Sequence, residues 1–382
     1  MFAVSALTST TSYGQQPTEL NSQFLFEIKN TCIVRFDDSI SKFDVTGKAR
    51  GLLASANARA KHLYSNTIKG FAVNMDCNKA KAAFAHSADA LSFSPDGLVV
   101  GFPKPDKPGG GKGGGDTQPE PQETPWSVDR VGGSTNWNGQ ITRAWVLDTG
   151  IDLDHGDLNV NASLGMSVFT DKRNARLDDG HGHGTHVAGI IAAIDNEQDV
   201  VGVAAGAEVV PIKVLNSRGS GSYAGIIAGI DYVANNAEAG DCANMSLGGG
   251  YSKDVNDAVI AAASTGIYFV VAAGNETQNT DNVSPASADG NNVYTIASTN
   301  QGDGLSSFSN YGTSVDYAAP GGSILSLKKG GGTTTMSGTS MASPAACAVI
   351  MVTGGFPNID GDASAAPDGT QYPIIHNLNT FL

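Results

Sequence analysis

Four residues of this chain, Ser340, His183, Asp148 and Asn275, have side chains and settings that could do chemistry together. Ser340 stands in Gly338-Thr339-Ser340-Met341-Ala342-Ser343-Pro344, after a glycine run and at the start of an apolar stretch that continues to Val352. Pro344 is tolerated in the first turn of a helix, so the segment predicts a loop leading into a helix with Ser340 at its positive, N–H-rich end. A hydroxyl in that place suits a nucleophile whose reaction creates an oxyanion. His183 lies in Asp179-Gly180-His181-Gly182-His183-Gly184-Thr185-His186, at the start of another helix, while Asp148 and Asn275 each end an apolar run. A serine hydroxyl is a weak nucleophile unless an imidazole accepts its proton. The imidazole needs its other nitrogen held by a carboxylate. The oxyanion needs fixed donors, here the Asn275 amide and the Ser340 backbone N–H.

Each residue also has a plainer reading. Asp148 with Asp152, Asp154 and Asp157 could form a cation loop, but the spacing is not that of an EF-hand. His181, His183 and His186 could hold zinc, yet neither HExxH nor a nearby cysteine pair accompanies them. Ser340 could cap a buried helix, and Asn275 could be a turn residue. Taken singly these readings suffice; jointly they leave a nucleophile, a base, an acid and an amide donor unexplained.

The elements that must position these groups follow from the apolar pattern. From residue 126 onward short apolar segments alternate with helical ones: 141–147, 209–215, 243–247 and 267–273 as strands, 187–194, 223–234 and 255–263 as helices. The strands do not alternate polar with apolar, which is expected when both faces of a sheet are covered. The fold class is therefore α/β, a doubly wound, mostly parallel sheet whose ligands sit beyond the carboxyl ends of its strands. Residues 29–102 predict a small α+β module, with strands at 31–36, 70–75 and 97–102 and helices at 50–64 and 78–88, in a ferredoxin-like alternation. Residues 1–28 are polar and read as a flexible leader. Residues 103–125 are rich in proline and glycine and read as an exposed linker, a preferred place for proteolytic cutting. Residues 126–382 form the main domain.

Composition narrows the partners. The chain has 382 residues, 40% hydrophobic and 16% charged, with a formal charge of −14. That balance supports a large core and argues against nucleic acid or an anionic membrane as partner. No apolar run reaches membrane-spanning length, and the start lacks the basic region of a secretory signal. Cys32, Cys77, Cys242 and Cys347 show no CxxC spacing; buried free thiols and a disulfide remain equal alternatives.

The motifs together resemble the subtilisin-like serine peptidases, nearest the proteinase K branch. Ala144-Trp145-Val146-Leu147-Asp148-Thr149-Gly150 resembles that family's aspartate motif and His183-Gly184-Thr185-His186-Val187-Ala188-Gly189 its histidine motif. Asn244-Met245-Ser246-Leu247-Gly248-Gly249 resembles its substrate strand, and Gly338 to Pro344 its serine motif. Residues 29–102 resemble its inhibitory propeptide, chiefly through residues 64–73. The resemblance implies a secreted serine endopeptidase precursor that cuts itself before Trp126 and takes protein and peptide substrates. Ser340 would be nucleophile, His183 base and then acid, Asp148 its orienting group and Asn275 the oxyanion donor. Substrate would lie between Ser246, Leu247, Gly248 and Gly249 on one side and Ser220 and Gly221 on the other. The small apolar walls, including Ala273 and Gly274, imply a broad preference for apolar or aromatic side chains before the scissile bond. The resemblance implies a monomer inhibited by its own propeptide, no cofactor for catalysis, and structural calcium at Asp316. Residues 345–348, Ala-Ala-Cys-Ala, depart from the family's His-Val-Ala-Gly.

Overall fold

The computed structural model describes residues 22–89, 91–101 and 121–377. Two bodies pack together, a small N-terminal module and a large α/β domain, and one strand passes from the first into the second. Residues 102–120, most of the expected linker, lie outside the described residues, as do 1–21.

The module begins earlier than the sequence suggested. Helix α1 (Ser22–Lys29) occupies the end of the expected leader, with Ile28 buried and Gln23 bonded to Glu27 one turn away. Strand β1 (Cys32–Phe36) follows, then α2 (Val45–Ser55), whose buried face is Val45, Ala49 and Leu53, spaced by single turns. The helix expected over 50–64 is half wrong. Asn57 takes a positive φ of 50°, which ends the helix, and the chain returns as β2 (Ala60–Tyr64). Strand β3 (Gly70–Val73) is followed by α3 (Cys77–Ala83), capped by Asp76, whose carboxylate accepts from the Asn78 and Lys79 N–H groups. Strand β4 (Leu91–Pro95) completes an antiparallel sheet of order β2-β3-β1-β4, the ferredoxin-like arrangement. The final module strand was expected at 97–102; β4 takes that place, and β5 (Leu98–Gly101) leaves the module altogether. A disulfide between Cys32 and Cys77 ties β1 to the start of α3.

In the large domain, α4 (Trp126–Arg130) precedes the main sheet. The strands are β6 (Ala144–Asp148), β7 (Glu208–Lys213), β9 (Cys242–Met245), β11 (Tyr268–Ala272), β12 (Val293–Thr299), β13 (Val315–Pro320), β14 (Asn358–Ala363) and β15 (Tyr372–His376). Their spatial order is β14-β15-β13-β12-β11-β9-β6-β7, parallel except for the β14–β15 pair at the edge. Two cleft strands, β8 (Ser220–Ser222) and β10 (Leu247–Gly250), stand outside this sheet. The chain enters at β6, steps outward to β7, then returns past it to β9. The carboxyl end of β6 is thus the switch point where such sheets hold ligands.

Alternate residues of each strand serve opposite faces. Ala144, Val146, Val209 and Cys242 join one core with α5 (His183–Ala192) and α8 (Thr339–Val352). Trp145, Leu147, Val210, Ala243 and Met245 join the other with α6 (Tyr223–Asn236) and α7 (Lys253–Ala263). Asp148, two residues beyond Val146, therefore faces α5 and α8, the helices that carry His183 and Ser340. The second disulfide, Cys242–Cys347, joins β9 to α8. All four cysteines are paired, so the free-thiol alternative is corrected.

The module docks on α6 and α7 through polar anchors. Asp231 on α6 accepts from the backbone N–H groups of Ser65, Asn66 and Thr67. Arg35 pairs with Asp254 at 2.9 Å and Asp257 at 2.6 Å. Asp96 accepts from the Ala224 N–H at the start of α6, and the surrounding burial raises its pKa. The last residues of the expected linker belong to the large domain: Glu123 N–H donates to Asp199 and Val201 N–H to Glu123, while the Gln122 amide bonds Asp195. A cut immediately before Trp126 would discard these bonds. Among the described residues no helix is long and apolar enough to cross a membrane.

Candidate active site

Asp148 and His183 meet at the switch point, Ser340 opens the helix α8 that packs against α5, and all three are essentially buried. Asp148 Oδ1 accepts from the Thr149 N–H at 2.6 Å and lies 2.7 Å from His183 Nδ1. A carboxylate only accepts, so Nδ1 carries the proton and Nε2 is the basic nitrogen. The close approach of α5 to β6 depends on Gly184, where a Cβ would run into the Gly150 carbonyl oxygen. A residue overlooked in the sequence, Asp179, fixes this junction. Fully buried, it accepts from Thr149 Oγ1, the N–H groups of His181, Gly182 and Thr185, and Thr185 Oγ1. These bonds outweigh desolvation and hold its pKa below the usual carboxylate value. Its signal in the sequence was its position four residues before His183, inside the same motif.

The other histidines stand apart from this work. His186 is fully buried with Nε2 against the carbonyls of Ile324 and Thr334, and burial pushes its pKa down to about 3. It is a neutral structural donor. His181 lies at the surface, its ring centroid 6.4 Å from that of His183.

Ser340 sits in the first turn of α8, and its Oγ donates to the Ser246 carbonyl at 3.1 Å. The helix starts at Thr339, one residue before the nucleophile, so Pro344 falls beyond the first turn, contrary to the sequence expectation. Asn275 follows β11. Its side-chain oxygen accepts from Thr339 N–H at 2.9 Å and Thr339 Oγ1 at 3.0 Å, which leaves the NH₂ as its available donor group. Thr339 also takes the Gly274 N–H, so it holds the whole turn; sequence reading missed it. Gly274 has φ of 103°, and a Cβ there would collide with the Asn310 side-chain amide. Asn310 in turn donates to the Ala273 carbonyl, fixing the small-residue wall.

The cleft holds the chain's own strand β5, antiparallel to both neighbours. Val100 pairs with Ser220, Val99 with Gly221 and Leu98 with Ser222 on one side. Gly101 pairs with Leu247 and Val100 with Gly248 on the other. Gly249 closes on the same strand, since a Cβ there would press on the Leu98 carbonyl oxygen at 2.5 Å. Gly219 and Leu215, absent from the sequence expectation, also line the cleft. Gly101 N–H donates to the Gly219 carbonyl at 2.9 Å, and a side chain on Gly101 would start 2.8 Å from Leu215 Cδ1 and 3.6 Å from His183 Nδ1.

Two carboxylates could hold a cation. Asp316 accepts from the Thr295 N–H, and desolvation with the charge of Asp289 pushes its pKa up to about 6. Asp157 is the better fit. Its Oδ1 accepts from the Asn196 amide, its Oδ2 is buried without a hydrogen-bond partner, and desolvation pushes its pKa up to about 7. The side-chain oxygens nearby are already engaged, that of Gln122 by the Asn196 N–H and that of Asn196 by the Gln198 N–H.

The family model described as the subtilase family matches residues 145–377. Proteinase R of Parengyodontium album is 35% identical over 324 residues, 79% of this chain and 76% of that protein. The cuticle-degrading protease of Metarhizium anisopliae is 35% identical over 331 residues, 83% of this chain and 78% of that protein. Among solved structures, that of a cold adapted subtilisin-like serine proteinase matches with a TM-score of 0.59 and 34% identity, covering 66% of this chain and 98% of that one. On the family match and these relatives, the chain belongs to the subtilase family and is a serine endopeptidase.

Proposed function

We propose that the cleft hydrolyses peptide bonds through an acyl-enzyme on Ser340. The observation that carries this reading is a peptide strand lying between β8 and β10 and ending beside His183. Strand addition gives affinity through main-chain bonds without demanding particular side chains. His183 Nε2 takes the Ser340 proton as Oγ attacks the carbonyl, and returns it to the leaving amine; water then repeats the sequence on the ester. Asp148 stabilises the imidazolium. Asn275 and the Ser340 N–H receive the oxyanion. The small walls at Leu247 to Gly250 and Ala272 to Gly274 favour apolar or aromatic residues before the scissile bond. Labelling by a fluorescent serine-directed phosphonate, with hydrolysis of casein and of apolar peptide esters, tests the reading; an unreactive Ser340 would leave a silent binding module instead.

Replacing Asn275 by Leu lowers kcat by about 10²–10³ with little change in KM, a figure taken from a subtilisin donor rather than derived from this geometry. A kcat within threefold of wild type would remove Asn275 from the oxyanion site.

The same strand makes the N-terminal module an inhibitor of its own enzyme, since β5 occupies the place of substrate while Asp231, Asp254 and Asp257 hold the module down. The activating cut then falls before residue 121, which spares the bonds of Gln122 and Glu123 to the large domain. The enzyme acts as a monomer outside the cell, where its two disulfides are stable.

Catalysis needs no cofactor, and a structural calcium would bind at the buried Asp157 Oδ2, which has no hydrogen-bond partner. Asp316 is a second, less complete place. Calcium therefore raises Tm of the wild type by several degrees and leaves Asp157→Asn unmoved in a thermal-shift titration with chelator controls. An equal rise in the variant would place the ion elsewhere.

A further inference from the structure

Beneath the nucleophile a buried polar relay joins α8 to β9, and the catalytic steps above do not use it. Its origin lies in Pro344. In an α-helix the N–H four residues on donates to each carbonyl, and proline has none. The carbonyl of Ser340, four residues before Pro344, loses that donor. Ser246 supplies a replacement, its Oγ donating to the Ser340 carbonyl at 2.8 Å. Ser246 Oγ in turn accepts from Asn244 Nδ2 at 2.9 Å, and Asn244 Oδ1 accepts from Ser343 Oγ at 2.7 Å. The single Ser343 hydrogen goes to the nearer Asn244 oxygen, the Val270 carbonyl lying farther off at 3.2 Å, and all four residues of the run are fully buried.

The spacing shows why these residues meet. Cys242, Asn244 and Ser246 recur every second residue and so share one face of the strand and its extension; Ala243 and Met245 pack into the opposite core. Ser340, Ser343 and Cys347 recur at helical spacing and share one face of α8. The two stripes oppose each other in three rungs: Ser246 with Ser340, Asn244 with Ser343, and the covalent Cys242–Cys347 bond. The far rung sits where the sequence departs from the family's His-Val-Ala-Gly.

We propose that Asn244 and Ser343 are positioning residues for the nucleophile. Through the Ser246 hydroxyl they hold the Ser340 backbone where Oγ and its N–H meet the scissile carbonyl, and the disulfide anchors the register at the other end. The proposal rests on the peptidase reading of Ser340. Buried relays of this kind act as units, so deleting one member should leave the next unsatisfied and free the helix end to shift. A displacement on the order of 1 Å at a reacting atom costs about a hundredfold.

The test uses Asn244→Ala, Ser343→Ala and the double variant, made as the full chain and processed, with active sites counted by phosphonate titration. The expected result is kcat per titrated site lowered about tenfold to a hundredfold in each single variant, KM within twofold, and an unchanged pH profile, because the Asp148–His183 pair is untouched. The double variant should lose no more than the worse single one, since both break the same relay. Should Asn244→Ala not fold, Ser343→Ala carries the same expectation. Wild-type kcat per titrated site alongside a lowered Tm would overturn the positioning role and leave only a structural one. A wild-type protein inert to phosphonate would overturn the peptidase reading beneath it.

Discussion

Ser340→Ala stops turnover, by about 10⁶ in kcat, a loss taken from the corresponding serine of a subtilisin rather than derived from this geometry. Nothing near the position can substitute. The hydroxyl donates to the Ser246 carbonyl at 3.1 Å at the mouth of a buried helix end, and the neighbouring Thr339 hydroxyl is committed to Asn275 and the Gly274 N–H. The variant should fold, since removing one oxygen leaves the Ser340 backbone and its bond from Ser246 in place. It should also remain uncut when produced alone, because the strand already lying in the cleft has no nucleophile to meet. Intact-mass measurement of the purified variant checks both points. A processed chain of mature length would show that another enzyme makes the cut, and residual turnover above about one part in 10⁴ would place the nucleophile elsewhere.

Asp148→Asn is expected to cost about 10⁴ in kcat, by analogy with the orienting aspartate of another serine protease class. The reason is tautomeric rather than steric. Asp148 Oδ1 accepts from both Thr149 N–H and His183 Nδ1, so the ring must carry its proton on Nδ1. An amide in that place can offer its NH₂ to Nδ1, which moves the ring proton to Nε2, and a protonated Nε2 cannot accept from Ser340. The affinity for substrate should persist, because the strand-binding residues Leu247, Gly248, Ser220 and Gly221 are unaltered. Stopped-flow labelling with phosphonate should slow in parallel with kcat. A labelling rate equal to that of wild type would mean that Asp148 does not orient His183.

Much of the site was legible because each catalytic group carries its own local requirement. Asp148 ends an apolar strand and His183 starts a helix; both are properties of a few neighbouring residues. The alternation of short apolar segments was enough to give a doubly wound sheet. Where local pattern and tertiary demand conflict, the sequence misled. Apolar residues at 60, 63 and 64 fit a helical repeat, yet Asn57 turns the chain and they pair with β3 instead. Residues 97–102 read as a strand and Leu98–Gly101 form one, but their partners belong to the other body.

The sequence by itself determined the chemistry, the family and the layered α/β architecture, because reactive groups and hydrophobic periods are written residue by residue. Tertiary structure decided what depends on pairing between distant segments. It joined four cysteines into two disulfides, laid β5 into the cleft, gave Thr339 and Asp179 their holding roles, and left the Ser340 carbonyl to be satisfied by Ser246. A hydrogen bond or a disulfide needs two partners at a set distance, and for segments about a hundred residues apart only the folded chain sets that distance.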